Sequence, residues 1–173
     1  MDLEQRCQPI ELVLSDVDGV LTDGILVLDN QGMESKRFHV RDGVAIRLWQ
    51  KAGYRFGMVT QRSSQVLKIR AAELRVEIVR QSIDDKLTTM HEIVDTLGLA
   101  PEQVCYLGDD LPDLPVLRAV GLGVAVADAA AEVRQAAHYV TAAPGGFGAV
   151  RETIETILKA QRRWNEVIQT YLT

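Results

Sequence analysis

The chain has 173 residues, 47% apolar and 25% charged, the make-up of a soluble globular protein that can bury roughly 70% of its unfolded surface without disulfide staples. Lys and Arg number 19 against 24 Asp and Glu, a net charge of −5, which argues against a nucleic-acid backbone as the main partner. No apolar run approaches the ~20 residues that span a bilayer. Met1 to Arg6 lacks the basic start and apolar stretch of a secretory signal. Two cysteines, Cys7 and Cys105, without metal-ligand spacing fit a reducing cytoplasm.

Glu11 to Ser15 reads as a buried strand, because Leu12, Val13 and Leu14 run without polar interruption. Gly24 to Leu28, the turn Asp29-Asn30-Gln31-Gly32 and Met33 to Val40 read as an inserted β-hairpin. It has too little core of its own and is expected to pack on something else. Val44 to Ala52 predicts a helix with Val44, Leu48, Ala45 and Trp49 on its apolar face, stopped by Gly53. Arg55 to Thr60 predicts a strand, Ser63 to Leu74 a helix with Val66, Ile69 and Leu74 apolar, and Glu77 to Arg80 a short strand. A helix over Asp85 to Leu97 follows, then strands over Val104 to Gly108, Leu122 to Val126 and Tyr139 to Thr141. Val150 to Leu172 reads as one long helical pattern whose tail carries Trp164 and Tyr171. Strands alternating with helices predict an α/β protein, a three-layer Rossmann-like fold with a mainly parallel central sheet. A single domain over 1–173 is expected, with the hairpin at about 24–40 and the C-terminal helix and tail at about 148–173.

Ligands of such sheets gather at the carboxyl ends of the strands. The first strand runs into Asp16-Val17-Asp18, the strand from Arg55 into Thr60-Gln61-Arg62, and the strand from Val104 into Asp109-Asp110-Leu111-Pro112-Asp113, while Lys86 opens a helix. If these edges converge, the carboxylates repel one another and a divalent cation relieves the penalty. An all-oxygen ligand set favours Mg²⁺. Carboxylates with Mg²⁺, Lys and Thr suggest phosphoryl transfer. Asp16 then acts as nucleophile, Asp18 as acid and base, Thr60 as a donor to a phosphoryl oxygen and Lys86 as a fixed charge. Arg41 is available for a carboxylate or phosphate.

Asp16-Val17-Asp18-Gly19-Val20-Leu21-Thr22 resembles the nucleophile motif of the haloacid dehalogenase superfamily, and Thr60, Lys86 and Gly108-Asp109-Asp110-Leu111-Pro112-Asp113 follow in that superfamily's order. Phe38-His39-Val40-Arg41-Asp42-Gly43, Val124 to Ala129, Tyr139-Val140-Thr141 and Gly145 to Glu152 narrow the resemblance to the small capless phosphatases acting on 3-deoxy-D-manno-octulosonate 8-phosphate. That resemblance implies Mg²⁺ held by Asp16, Asp109 and the backbone carbonyl of Asp18, with Asp110 and Asp113 supporting the metal shell or Lys86. It implies substrate contacts at Arg41, Gly43, Thr60, Gln61 and Arg62. It also implies the absence of a cap domain, and a cytoplasmic homotetramer whose hairpins and tails close one another's sites. The product would feed lipopolysaccharide synthesis.

Two departures bear on the substrate. Gln61 stands where the family commonly has Gly, and Phe147 where the octulosonate phosphatases often carry Arg, a partner for a sugar carboxylate. A nine-carbon keto-sugar acid 9-phosphate is therefore the competing substrate. Receiver-like signalling modules use similar groups but place the phosphorylated Asp after the acidic pair, opposite to the order here. A non-catalytic oligomeric scaffold is the remaining alternative.

Overall fold

The computed structural model describes residues 1–172, with the backbone alone at Thr170. Its centre is a six-stranded sheet of β1 (Leu12–Ser15), β4 (Arg55–Val59), β5 (Ile78–Arg80), β6 (Val104–Gly108), β7 (Leu122–Ala125) and β8 (Tyr139–Val140). Strands β2 (Val27–Leu28) and β3 (Glu34–Ser35) form a separate antiparallel hairpin. The helices are α1 (Leu3–Cys7), α2 (Val40–Lys51), α3 (Gln65–Leu74), α4 (Lys86–Leu97), α5 (Leu114–Ala119), α6 (Ala131–Ala136), α7 (Ala149–Ala160) and α8 (Trp164–Ile168).

The sheet order is β5-β4-β1-β6-β7-β8, and every pairing is parallel. From β1 the chain moves outward through β4 to β5, then returns across the sheet to β6 and continues to β8. Right-handed crossovers therefore put α2 and α3 on one face and α4, α5 and α6 on the other. Helix α7 packs on α2 and α1, which completes the first layer. Every residue of β1 and β6 is buried, as strands covered on both faces require. The direction of winding reverses at β1. In-register pairing sets Ser15 beside Met58 and Leu107. The residues just beyond these strand ends, Asp16, Thr60 and Asp109, are thereby brought to one edge at the switch point, where such sheets bind ligands.

Several predicted boundaries move. Helix α2 starts at Val40, so Asp42 lies buried in its first turn and accepts the Arg151 N–H of α7 at 2.7 Å. The buried face of α2 is Ala45, Ile46, Leu48 and Trp49, while Val44 is 41% exposed. In α3, Leu67, Ala71 and Leu74 face the core and Ile69 is 62% exposed. The long C-terminal helix is broken, because Arg162 takes a left-handed φ of 59° between α7 and α8. Tyr171 ends in a short 3₁₀ turn, and the expected tail's last residue, Thr173, lies outside the described residues. Cys7 and Cys105 are both buried and unbridged. Helices α1, α5 and α6, only five or six residues long, are too short to carry a clear apolar period.

Candidate active site

Strand β1 delivers Asp16 out of the core. Its backbone N–H continues the ladder to Leu107 O at 2.9 Å, and the Val17 N–H donates to its Oδ1 at 2.6 Å. Lys86 stands at the first turn of α4, which Asp85 caps by accepting the Thr88 N–H. Its side chain runs inward, and Nζ lies 2.8 Å from Asp16 Oδ2 and 2.6 Å from Asp113 Oδ1. Burial pulls the Lys86 ammonium down, but Asp16 and Asp113 outweigh it and the net shift is upward. This residue is fixed as a cation.

Asp113 is fully buried and saturated. Oδ1 accepts from Lys86 and from the Tyr106 hydroxyl at 2.6 Å, and Oδ2 accepts the backbone N–H groups of Asp109 and Asp110. Gly108 permits this crossing, because a Cβ there would sit 2.5 Å from the Asp113 side chain. Asp109 approaches Asp16 by the same device. Gly19 has φ +90°, and a Cβ on it would meet Asp109 Oδ2 at 2.0 Å.

The carboxylates press on one another. Burial first, then Asp113, raises the Asp16 carboxyl to about 6. Burial, then Asp16 and Asp113, raises Asp109 to about 8. Carboxylate oxygens of Asp16, Asp109 and Asp113 lie within 4.8 Å of one another, and the buried Asp109 Oδ1 has no hydrogen-bond partner. An orphaned carboxyl oxygen among mutually repelling acidic groups suits a hard divalent cation. Asp113 already accepts four hydrogen bonds, so Asp16 and Asp109 are the side chains left to bind the ion.

The remaining expected residues fall into two groups. Asp16, Asp18, Thr60, Gln61, Arg62, Lys86, Asp109 and Asp110 line one cavity of about 160 Å³. Thr60 is buried at the end of β4, and its Oγ1 accepts the Arg62 N–H at 3.2 Å. Asp110 is exposed and caps the following 3₁₀ turn through the Leu111 N–H. Arg41 and Gly43 are not brought here, because the early start of α2 carries them into the helix. Arg41 lines a separate cavity with His39, Phe147 and Arg151, and Gly43 faces Arg70 and Leu74.

Three residues absent from the sequence reading belong to this site. Tyr106 holds Asp113, and its uninterrupted apolar strand gave no sign of that role. Lys36 and Glu34 come from the hairpin: Lys36 pairs with Asp18, and Glu34 with both Lys36 and Arg62. Their signal was the i, i+2 spacing that puts both charges on one face of a strand.

Comparison with known proteins places this geometry. The haloacid dehalogenase-like hydrolase profile matches residues 66–151. The 3-deoxy-D-manno-octulosonate 8-phosphate phosphatase of Yersinia pestis is 47% identical over 160 residues, covering 92% of this chain and 86% of its own. A crystal structure of the Moraxella catarrhalis phosphatase of the same name, in complex with magnesium ion, phosphate ion and the octulosonate, has a TM-score of 0.95 at 38% identity and covers 97% of each chain. The cobalt-bound Haemophilus influenzae phosphatase has a TM-score of 0.93 at 37% identity, covering 98% of this chain and 100% of its own.

Proposed function

We propose, for a chain that belongs to the haloacid dehalogenase superfamily and within it to the 3-deoxy-D-manno-octulosonate 8-phosphate phosphatase family, hydrolysis of that eight-carbon ester through a phosphorylated Asp16. The protein is a phosphatase, and its cofactor is Mg²⁺. The observation that carries the mechanism is the meeting of Asp16, Asp18, Thr60, Lys86 and Asp109 in one cavity.

Asp16 and Asp109, with the Asp18 backbone carbonyl, would hold the Mg²⁺, which supplies positive charge against the phosphoryl oxygens. The chain's own groups do the rest. A carboxylate oxygen of Asp16 forms a bond to phosphorus as the ester P–O bond breaks. Asp18 gives its proton to the departing sugar oxygen. Asp18 then takes a proton from the water that attacks the phosphorylated Asp16, releasing phosphate and restoring the free carboxylate. Thr60 donates its hydroxyl hydrogen to a phosphoryl oxygen, and Lys86 keeps Asp16 charged and aimed. Arg62, at the cavity wall, faces the sugar acid.

A cavity of about 160 Å³ suits a phosphoryl group, and an eight-carbon chain would extend from it over further surface. The hairpin exposes Ile25, Leu26, Val27, Leu28 and Met33, each at least half accessible, an apolar patch of the kind that marks an interface. A homotetramer whose subunits, each one phosphatase domain, cover these hairpins suits both needs, and its tails bring Tyr171 and Leu172 near neighbouring sites. Among the described residues no helix is long and apolar enough to cross a membrane. A cytoplasmic role in supplying the octulosonate for lipopolysaccharide fits that reading.

A phosphate-release screen of purified protein in Mg²⁺ tests the substrate. The eight-carbon ester is expected to be turned over well ahead of nine-carbon keto-sugar acid 9-phosphates and generic esters. A higher kcat/KM for a nine-carbon ester would overturn the assignment. Sedimentation of the unaltered chain tests the tetramer, and a monomer at micromolar concentration would contradict it.

A further inference from the structure

The root of the hairpin carries a closed ring of charge, of which the reaction scheme above uses Asp18 and Arg62 but neither Lys36 nor Glu34. Lys36 Nζ contacts Asp18 Oδ1 and lies 3.1 Å from Glu34 Oε1. Glu34 Oε1 accepts from Arg62 Nη2 at 2.8 Å. Arg62 Nε, buried and without a hydrogen bond, faces Asp18 Oδ2 at 3.7 Å. Two cations and two anions alternate, joining the loop after β1, the hairpin and the loop after β4.

The Lys36 side chain is only 3% exposed. An ammonium on a short surface hairpin ordinarily reaches water, because its desolvation is costly. Strand β3 is two residues long and has an open side, yet Lys36 is turned inward onto Asp18. Burial works to raise the Glu34 carboxyl, but hydrogen bonds from Ser64, Arg62 and Lys36 outweigh it and hold the group at about 2. Glu34 is therefore a permanent counter-ion that allows the ammonium to sit there.

We infer that Lys36 is a positioning residue for Asp18: the hairpin supplies a buried ammonium that holds the Asp18 carboxyl in one orientation at the cavity wall. The inference rests on the proposed acid role of Asp18. As the P–O bond breaks and the proton moves to the sugar oxygen, Asp18 is already held by the hairpin and need not reorient.

The test compares leaving groups. A sugar alkoxide must be protonated as it departs, whereas nitrophenolate leaves without an acid. In Mg²⁺, Lys36→Met is expected to lower kcat/KM for the eight-carbon sugar-acid phosphate about 10²-fold, through kcat, with KM changed less than about twofold. For 4-nitrophenyl phosphate, kcat/KM is expected to stay within about threefold of the unaltered enzyme. Should Lys36→Met fail to fold, Glu34→Gln with Lys36→Met keeps the local charge balanced and is expected to give the same contrast. An equal fall on both esters, a loss carried by KM, or no loss at all would overturn the role. If the unaltered enzyme fails on the sugar-acid ester, the proposed substrate falls instead.

Discussion

The two walls of the candidate catalytic cavity are built differently. The inner wall, Asp16, Lys86, Asp109 and Asp113, stands at the ends of β1 and β6 and the start of α4, and Asp16, Lys86 and Asp113 are buried and joined by ion pairs. The outer wall, Asp18, Arg62 and the hairpin residues Glu34 and Lys36, has no core under it and is tied by ion pairs. The inner wall is held by buried ion pairs and hydrogen bonds on strands of the core. The outer wall is set by charge, so it is the wall that pH, salt and a neighbouring subunit can adjust.

Breaking the inner wall has the largest effects. Asp16→Asn is expected to lower phosphate release by about 10⁴-fold or more, and a chelator to abolish it until Mg²⁺ is restored. Lys86→Met leaves Asp16 and Asp113 buried without their cation and is expected to cost about 3–5 kcal/mol of stability. Urea unfolding of the metal-free protein measures that loss, and an unchanged midpoint would show that Lys86 does not hold the wall. Thr60→Val keeps the shape of the β4 terminus and removes one donor to the phosphoryl group. A fall of about 10²-fold in kcat/KM is expected, with only a small fall in melting temperature from the lost Arg62 N–H bond.

The outer wall is expected to respond more weakly and with a pH signature. The Glu34 carboxyl lies near 2 in the folded protein, below its ordinary value. Its stabilising contribution is therefore complete above the unfolded value of about 4.3 and is lost as pH falls through the folded value. The melting temperature of Glu34→Gln is expected to lie below that of the unaltered chain at neutral pH, the gap narrowing between about pH 4 and pH 2. A gap independent of pH would mean that Glu34 acts by packing rather than by charge.

The same division explains what could be read in the sequence. Uninterrupted apolar runs such as Leu12-Val13-Leu14 announce a buried parallel strand, and such a strand fixes where Asp16 must emerge. The inner wall was therefore legible as strand ends followed by Asp. Lys36 and Glu34 were legible only as an i, i+2 pair on one face, since a charged residue on a hairpin ordinarily faces water and the folded chain alone shows the ring. Arg41 and Gly43 fell elsewhere because α2 begins at Val40 without a side-chain cap, so no capping residue marked the true start. The tail read as one helix because its apolar period persists through the break, and only the left-handed backbone at Arg162 interrupts it.

The central claim is that Asp16 carries the phosphoryl group during turnover. Borohydride added to the enzyme while it is turning over the sugar-acid phosphate in Mg²⁺ reduces an acyl phosphate to the alcohol. Peptide mass spectrometry should then find homoserine in place of Asp16. Homoserine at Asp18 or Asp109, or an unmodified Asp16 during rapid hydrolysis, would contradict the account.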